Sequence, residues 1–177
     1  MSKKQIYLRD LVMSGDSVKI DYPLESGRWY AFGKSPEEDL GRSERYTIIT
    51  ALKDYNRLRH RDNRIDQAAT AVSKFHFELR LENGTINLIP RSSSRKTMVI
   101  PNNDRIPLDE LTVGFMDEFV VYMETRIFPG DLIICEYLYN LEIGGPVDTD
   151  AETSAETAFR KGDTGEFQIP SELLRRK

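Results

Sequence analysis

The sequence predicts an all-β protein folded as a two-layer β-sandwich, and three observations carry that expectation. Short apolar or alternating runs recur from the start of the chain to about residue 143. Clusters of Gly, Asn, Asp and Ser separate them, as turns between strands require. No regular alternation of strand and helix accompanies them, so a parallel βαβ architecture is not indicated.

The first strands are expected at Ile6 to Val12 and Val18 to Leu24, around the turn cluster Ser14-Gly15-Asp16. Arg28-Trp29-Tyr30-Ala31-Phe32 is a short aromatic strand that ends at Gly33 and so delivers a loop. From Phe75 to Leu81 the pattern alternates, with Phe75, Phe77, Leu79 and Leu81 on one face. Asn83-Gly84 then precedes a second extended run, Thr85 to Pro90. Asn-Gly between two such runs marks a hairpin, because both central positions of the favoured turn need positive φ. Further strands are expected at Thr97–Ile100, Arg105–Leu108, Glu118–Met123 and Asp131–Tyr139, the last two rich in Val, Ile and Tyr.

Residues 44–71 break the strand pattern. Ile48, Ile49, Leu52, Tyr55 and Leu58 recur at three-to-four spacing, which predicts a helix face. Arg42, Arg45, Lys53, Arg57, Arg59, Arg61 and Arg64 make the same stretch basic. After Gly144-Gly145-Pro146 little remains to bury, and Asp148, Asp150, Glu152 and Glu156 are crossed by no base. The organisation expected is therefore a sandwich domain over 1–145, with an inserted helical basic segment at 44–71. A flexible acidic tail follows over 146–177, with a short helix starting at Ser171. A basic middle and an acidic tail in one chain invite contact within or between molecules.

The 177 residues suffice for one domain with a proper core, and 39% hydrophobic against 31% charged is an ordinary globular balance. No apolar run reaches the roughly 20 residues that span a bilayer, and the opening residues are too charged for a secretory signal, so a cytoplasmic protein without membrane contact is expected. A net charge of −4 argues against general nucleic-acid binding. The single Cys135 lies in an apolar run and is expected in the core.

The loops that separate the central strands carry the chemistry. Phe32-Gly33-Lys34-Ser35-Pro36 is followed by Ser73-Lys74-Phe75-His76, by Ser92-Ser93-Ser94-Arg95-Lys96-Thr97, and by Gly130-Asp131 before an apolar strand. In order and polarity these stations resemble a forkhead-associated (FHA) domain, a phosphothreonine-reading module that writes them as Gly-Arg-Ser, Ser-x-x-His, Ser-x-Asn-Gly-Thr and Gly-Asp. The resemblance covers roughly residues 18–143 and implies an FHA-like β-sandwich that is not an enzyme.

It also implies a loop-edge phosphopeptide site. Lys34 stands where the family's arginine reaches phosphate, and lysine lacks the planar fork, so weaker or altered phosphate binding is implied. Leu40-Gly41-Arg42-Ser43 offers a second match to the first station, which would bring Arg42 nearby. Ser73 would donate to phosphate, while Gly33, His76 and Thr97 would support the loops. Arg95-Lys96 replaces the family's asparagine and glycine, and with Arg91 and the serines makes an anion-attracting loop. The candidate phosphopeptide-binding residues are thus Lys34, Ser73 and Arg95, followed by Arg42, Lys74, Arg91 and Lys96.

Neither His60 nor His76 sits in a ligand-spaced cluster, so no metal, cofactor or catalytic residue is expected. Thr153 and Thr157 lie in acidic surroundings and are candidate phosphorylation sites, which would make the chain's own tail one candidate partner. The partner implied is a phosphorylated or acidic protein. The alternative is a degenerate FHA domain serving as a structural subunit of a larger assembly, without phosphate recognition.

Overall fold

The computed structural model describes residues 5–12, 14, 19–41, 44–52 and 63–146. Ten strands make two five-stranded sheets. The first sheet runs β2 (Ile20–Leu24), β1 (Ile6–Asp10), β10 (Tyr139–Gly144), β9 (Leu132–Cys135) and β7 (Thr97–Ile100), all antiparallel. The second runs β4 (Tyr46–Thr50), β3 (Arg28–Gly33), β5 (Phe77–Glu82), β6 (Thr85–Pro90) and β8 (Thr125–Ile127). All its pairs are antiparallel except β3 with β4. The two-sheet sandwich expected from the strand pattern is the architecture observed.

Between the sheets lies one apolar cluster that includes Leu8, Phe32, Phe77, Leu79, Leu88, Ile133, Tyr139 and Leu141. Alternation decides membership: Phe77, Leu79 and Leu81 are buried inward, while the even positions of β5 face the other way. Phe75 departs from that expectation. It precedes the strand and packs beside Tyr46 and Arg91.

Strands β7 and β9 are buried along their whole length, because the first sheet is covered on both faces there. Val99, Ile133 and Cys135 face the sandwich. Met98, Ile100, Leu132 and Ile134 face a second cluster with Leu108, Leu111 and Met116. This cover corrects two expectations. Arg105–Leu108 is not a strand: residues 105–107 join two 3-10 turns, Asn102–Asp104 and Leu108–Glu110. Glu118–Met123 contributes only a single bridge, Met98 to Val120, after a short helix α3 (Val113–Asp117). A continuously apolar strand pair needs a lid, and this segment is spent as that lid.

The run Asp131–Tyr139 is two strands rather than one. Left-handed backbone at Glu136 (φ 41°) and Tyr137 (φ 68°) folds β9 back onto β10. The Asn83-Gly84 hairpin is as expected, with φ of 51° and 76°.

Within 44–71 the helix occupies Asn63–Thr70 (α2), where Ala68 is buried. Ile48 and Ile49 belong instead to β4, against the helical reading of that stretch. The pairing of β4 with β3 outweighs local periodicity, with Ile48 in register with Ala31 and Ile49 with Phe32. Parallel neighbours need a long crossover, supplied here by residues 34–45 through helix α1 (Pro36–Leu40). Tyr55 and Leu58, and the whole tail from 147, lie outside the described residues. No helix among the described residues is long and apolar enough to cross a membrane.

Candidate functional site

Three loops meet at one rim of the sandwich: β3–β4, the approach to β5, and β6–β7. Main-chain hydrogen bonds assemble them. The Lys34 N–H donates to the Ser73 carbonyl and the Ser35 N–H to that of Lys74, both at 3.0 Å. His76 N–H donates to Phe32 O at 2.8 Å, and Arg91 and Ser92 N–H donate to His76 O at 2.9 and 3.1 Å. Gly33 permits this approach, since a Cβ there would stand 2.0 Å from the Lys74 carbonyl oxygen.

His76 is fully buried beneath the rim. Its Nδ1 accepts the Ser73 N–H at 3.1 Å, which leaves the ring proton on Nε2 to donate to the Lys96 carbonyl, also at 3.1 Å. Burial pushes His76 down to about 4, partly opposed by the Lys96 carbonyl and assisted by the Arg95 charge. The neutral imidazole therefore acts as a tie between loops and carries no charge to the rim at neutral pH. Above it, the Ser73 and Ser92 hydroxyls lie 2.6 Å apart, and Ser92 Oγ also accepts the Arg95 N–H at 3.0 Å.

The cations fall into two groups. Lys34 and Arg95 are exposed and form no ion pair among the described residues. The others are engaged. Lys74 Nζ lies 2.7 Å from Glu38, which raises its proton affinity. Arg91 grips Glu78 at 2.8 Å, and Lys96 Nζ reaches the Tyr137 hydroxyl at 2.7 Å and Asp117 at 3.4 Å. Arg42, Thr153 and Thr157 lie outside the described residues.

Thr97 is buried at the start of β7, with no hydrogen-bond partner for its hydroxyl among the described residues. Gly130-Asp131 stands at the opposite end of the sandwich from the rim. There Asp131 receives Asn102 N–H at 2.9 Å and Phe128 N–H at 2.8 Å, and burial raises its pKa against the pull of those bonds.

Sequence reasoning missed the carboxylates. Glu38, Glu78 and Asp117 set which cations remain unpaired, and Glu136 receives Lys96 N–H through its side chain. Only Glu78 had a legible signal, as an acid within a strand between the apolar residues Phe77 and Leu79. A groove of about 550 Å³ borders the β6–β7 loop, lined among others by Arg95, Lys96, Val120, Tyr122 and Glu136. Among the described residues, no three or more of His, Cys, Asp and Glu are grouped to hold a metal ion.

The fold and rim define a β-sandwich whose candidate groups sit on loop tips above a rigid sheet. No protein-family model matches the chain, and no curated protein matches its sequence. Solved structures similar to it are FHA domains. That of the CT664 protein from Chlamydia trachomatis is 10% identical with a TM-score of 0.49, covering 81% of this chain and 99% of that one. The first FHA domain of Rv1747 from Mycobacterium tuberculosis is 11% identical with a TM-score of 0.41, covering 82% and 100%. The yeast Dun1 FHA domain, solved with a doubly phosphorylated peptide from Rad53, is 14% identical with a TM-score of 0.41, covering 85% of this chain and 82% of that one.

Proposed function

We propose that this chain is a non-enzymatic protein-interaction module that binds a phosphothreonine-bearing partner at the loop rim. The observation that carries this reading is the Ser73–Ser92 hydroxyl pair at 2.6 Å, tied through the main chain to the unpaired cations Lys34 and Arg95. A phosphothreonine brings roughly −1.5 to −2 charges and three acceptor oxygens. Two hydroxyls and two cations on rigidly held loops answer both needs. Lys74, Arg91 and Lys96, already paired, would shape the surrounding field, and Thr153 or Thr157 of the same chain are candidate sources of the phosphothreonine.

The test is a titration with paired peptides, phosphothreonine against threonine, on an acidic background. Binding should require the phosphate, and Ser73→Ala or Arg95→Gln should weaken it by roughly 10- to 100-fold, the value of a charge-assisted hydrogen bond. Equal affinity for the two peptides would sink the proposal and favour a structural subunit. That second reading draws on the exposed apolar side chains Tyr122 and Met123, 83% and 75% accessible, which suit a protein contact.

A further inference from the structure

The outward face of the second sheet carries a cationic row that the rim does not use. Register aligns one residue from every strand: Tyr46 with Trp29, Trp29 with Arg80, Arg80 with Asn87, and Asn87 with Arg126. Directly paired residues share a face. The adjacent set Tyr30, Leu79 and Leu88 is buried between the sheets, so the row points outward.

Trp29 is its centre. The guanidinium carbon of Arg45 lies 3.3 Å from the Trp29 ring centroid and that of Arg80 lies 3.6 Å away. Two guanidinium groups at those distances cannot share one face, so the indole is held between them, with its N–H donating to Glu82 at 2.9 Å. More loosely, Arg91 lies over Phe75 at 5.8 Å and Arg126 over Phe128 at 5.0 Å from the ring centroid. Four guanidinium groups thus stand on this side. Glu78 neutralises part of Arg80 and Arg91, whereas Arg45 and Arg126 make no ion pair among the described residues.

We infer that this face is a second interaction surface and that its occupant is the chain's own acidic segment, Asp148 to Glu156. The contact rests on carboxylates and does not depend on phosphorylation or on the rim. Charge complementarity is direct, since the segment carries four acids and no base. Its point of departure is suitable. Gly144 is in register with Tyr7, Tyr7 with Pro23, and the turn after Leu24 leads straight into β3 at Arg28. Strand β10 therefore ends at the end of the sandwich where Trp29 stands. Nine extended residues span roughly 30 Å, whereas five strands spaced about 4.8 Å apart span about 19 Å.

A nucleic acid fits this face less well. Both faces of the indole at its centre are occupied, so bases cannot stack upon Trp29. What the row presents is guanidinium edges, which suit carboxylates. Surface ion pairs are individually weak, but tethering supplies an effective concentration on the order of millimolar.

Trp29 is the sole tryptophan, so its fluorescence reports the row in the intact chain. The experiment compares acrylamide quenching of the full chain with that of a variant carrying Asp148→Asn, Asp150→Asn, Glu152→Gln and Glu156→Gln. At low salt the variant should be quenched roughly twofold more readily, and the parent should match it at ~0.5 M salt, where screening shortens to a few ångströms. The variant itself should be indifferent to salt. Arg126→Gln, which leaves the indole untouched, should reproduce part of the loss, while Ser73→Ala should leave the protection intact. Equal quenching of parent and variant at low salt overturns the inference. So does protection that grows with protein concentration, which would assign the occupant to a second copy, or protection abolished by Ser73→Ala, which would assign it to the rim.

Discussion

His76 Nε2 stands 3.1 Å from the carbonyl oxygen of Lys96, twenty residues further along the chain. The bond requires a neutral ring that donates from Nε2 while Nδ1 accepts from Ser73. Burial holds the folded-state value near 4, below the ordinary 6.5, so the unfolded chain takes up this proton first. The stability involved is fully present above pH 6.5 and is lost as pH falls through that window toward 4. The shift corresponds to about 3 kcal/mol. Denaturant unfolding at several pH values should show this slope, and His76→Gln should remove that part of it. An unchanged slope in the variant would mean that His76 is not the group titrating.

Gly33 faces the Lys74 carbonyl at a distance no side chain tolerates. In Gly33→Ala the new methyl would meet that oxygen at 2.0 Å and its carbon at 2.6 Å, both main-chain atoms that cannot swing aside. Overpacking of this kind costs about 1–3 kcal/mol. Thermal unfolding should register the loss, and amide exchange at Lys34 and Ser35 should quicken as their bonds to the neighbouring loop open.

Glu78 has no exposed side-chain surface, yet it serves Arg80, Arg91 and the Tyr46 hydroxyl together. Glu78→Ala strips all three of their acceptor. The guanidinium groups keep 25% and 40% side-chain exposure and recover water, so the expected destabilisation is about 2 kcal/mol, below that of breaking a fully buried pair. Glu78→Gln should lose less. A loss of similar size in both would mean that charge, rather than acceptor geometry, governs the cluster.

Lys34→Arg tests the geometry of the proposed rim. A planar fork replaces a point charge on a loop whose main chain is already fixed to Ser73. Phosphothreonine peptide should bind roughly 3- to 10-fold more tightly, with no gain for its unphosphorylated twin. Equal gains for both peptides would place Lys34 in nonspecific attraction.

The elements legible in the sequence were those whose signal is local. Asn83-Gly84 announces its own hairpin because the turn's backbone demands those residues, and the inward residues of β5 announce themselves by alternation. The β9–β10 turn gave no such notice, since Glu136 and Tyr137 adopt left-handed backbone without glycine or asparagine. Val120 and Phe119 are strand-formers by composition, but the exposed back of β7 recruits them as cover. Ile48 and Ile49 fit either period, and only a partner strand distinguishes the two.

At the rim, the serines and basic residues were visible as loop chemistry. Which cations stay unpaired was not, because Glu38, Glu78 and Asp117 approach from other elements.

The bonds that join the β3–β4 loop to the approach to β5, and that approach to β6–β7, run largely between peptide groups and one concealed imidazole. Side chains at the tips are therefore passengers on a chassis that does not depend on them. Exchanging Lys34, Ser93, Ser94 or Arg95 for other residues rewrites what the edge presents to a ligand while its scaffold persists, which makes this sandwich a natural frame for grafting new recognition.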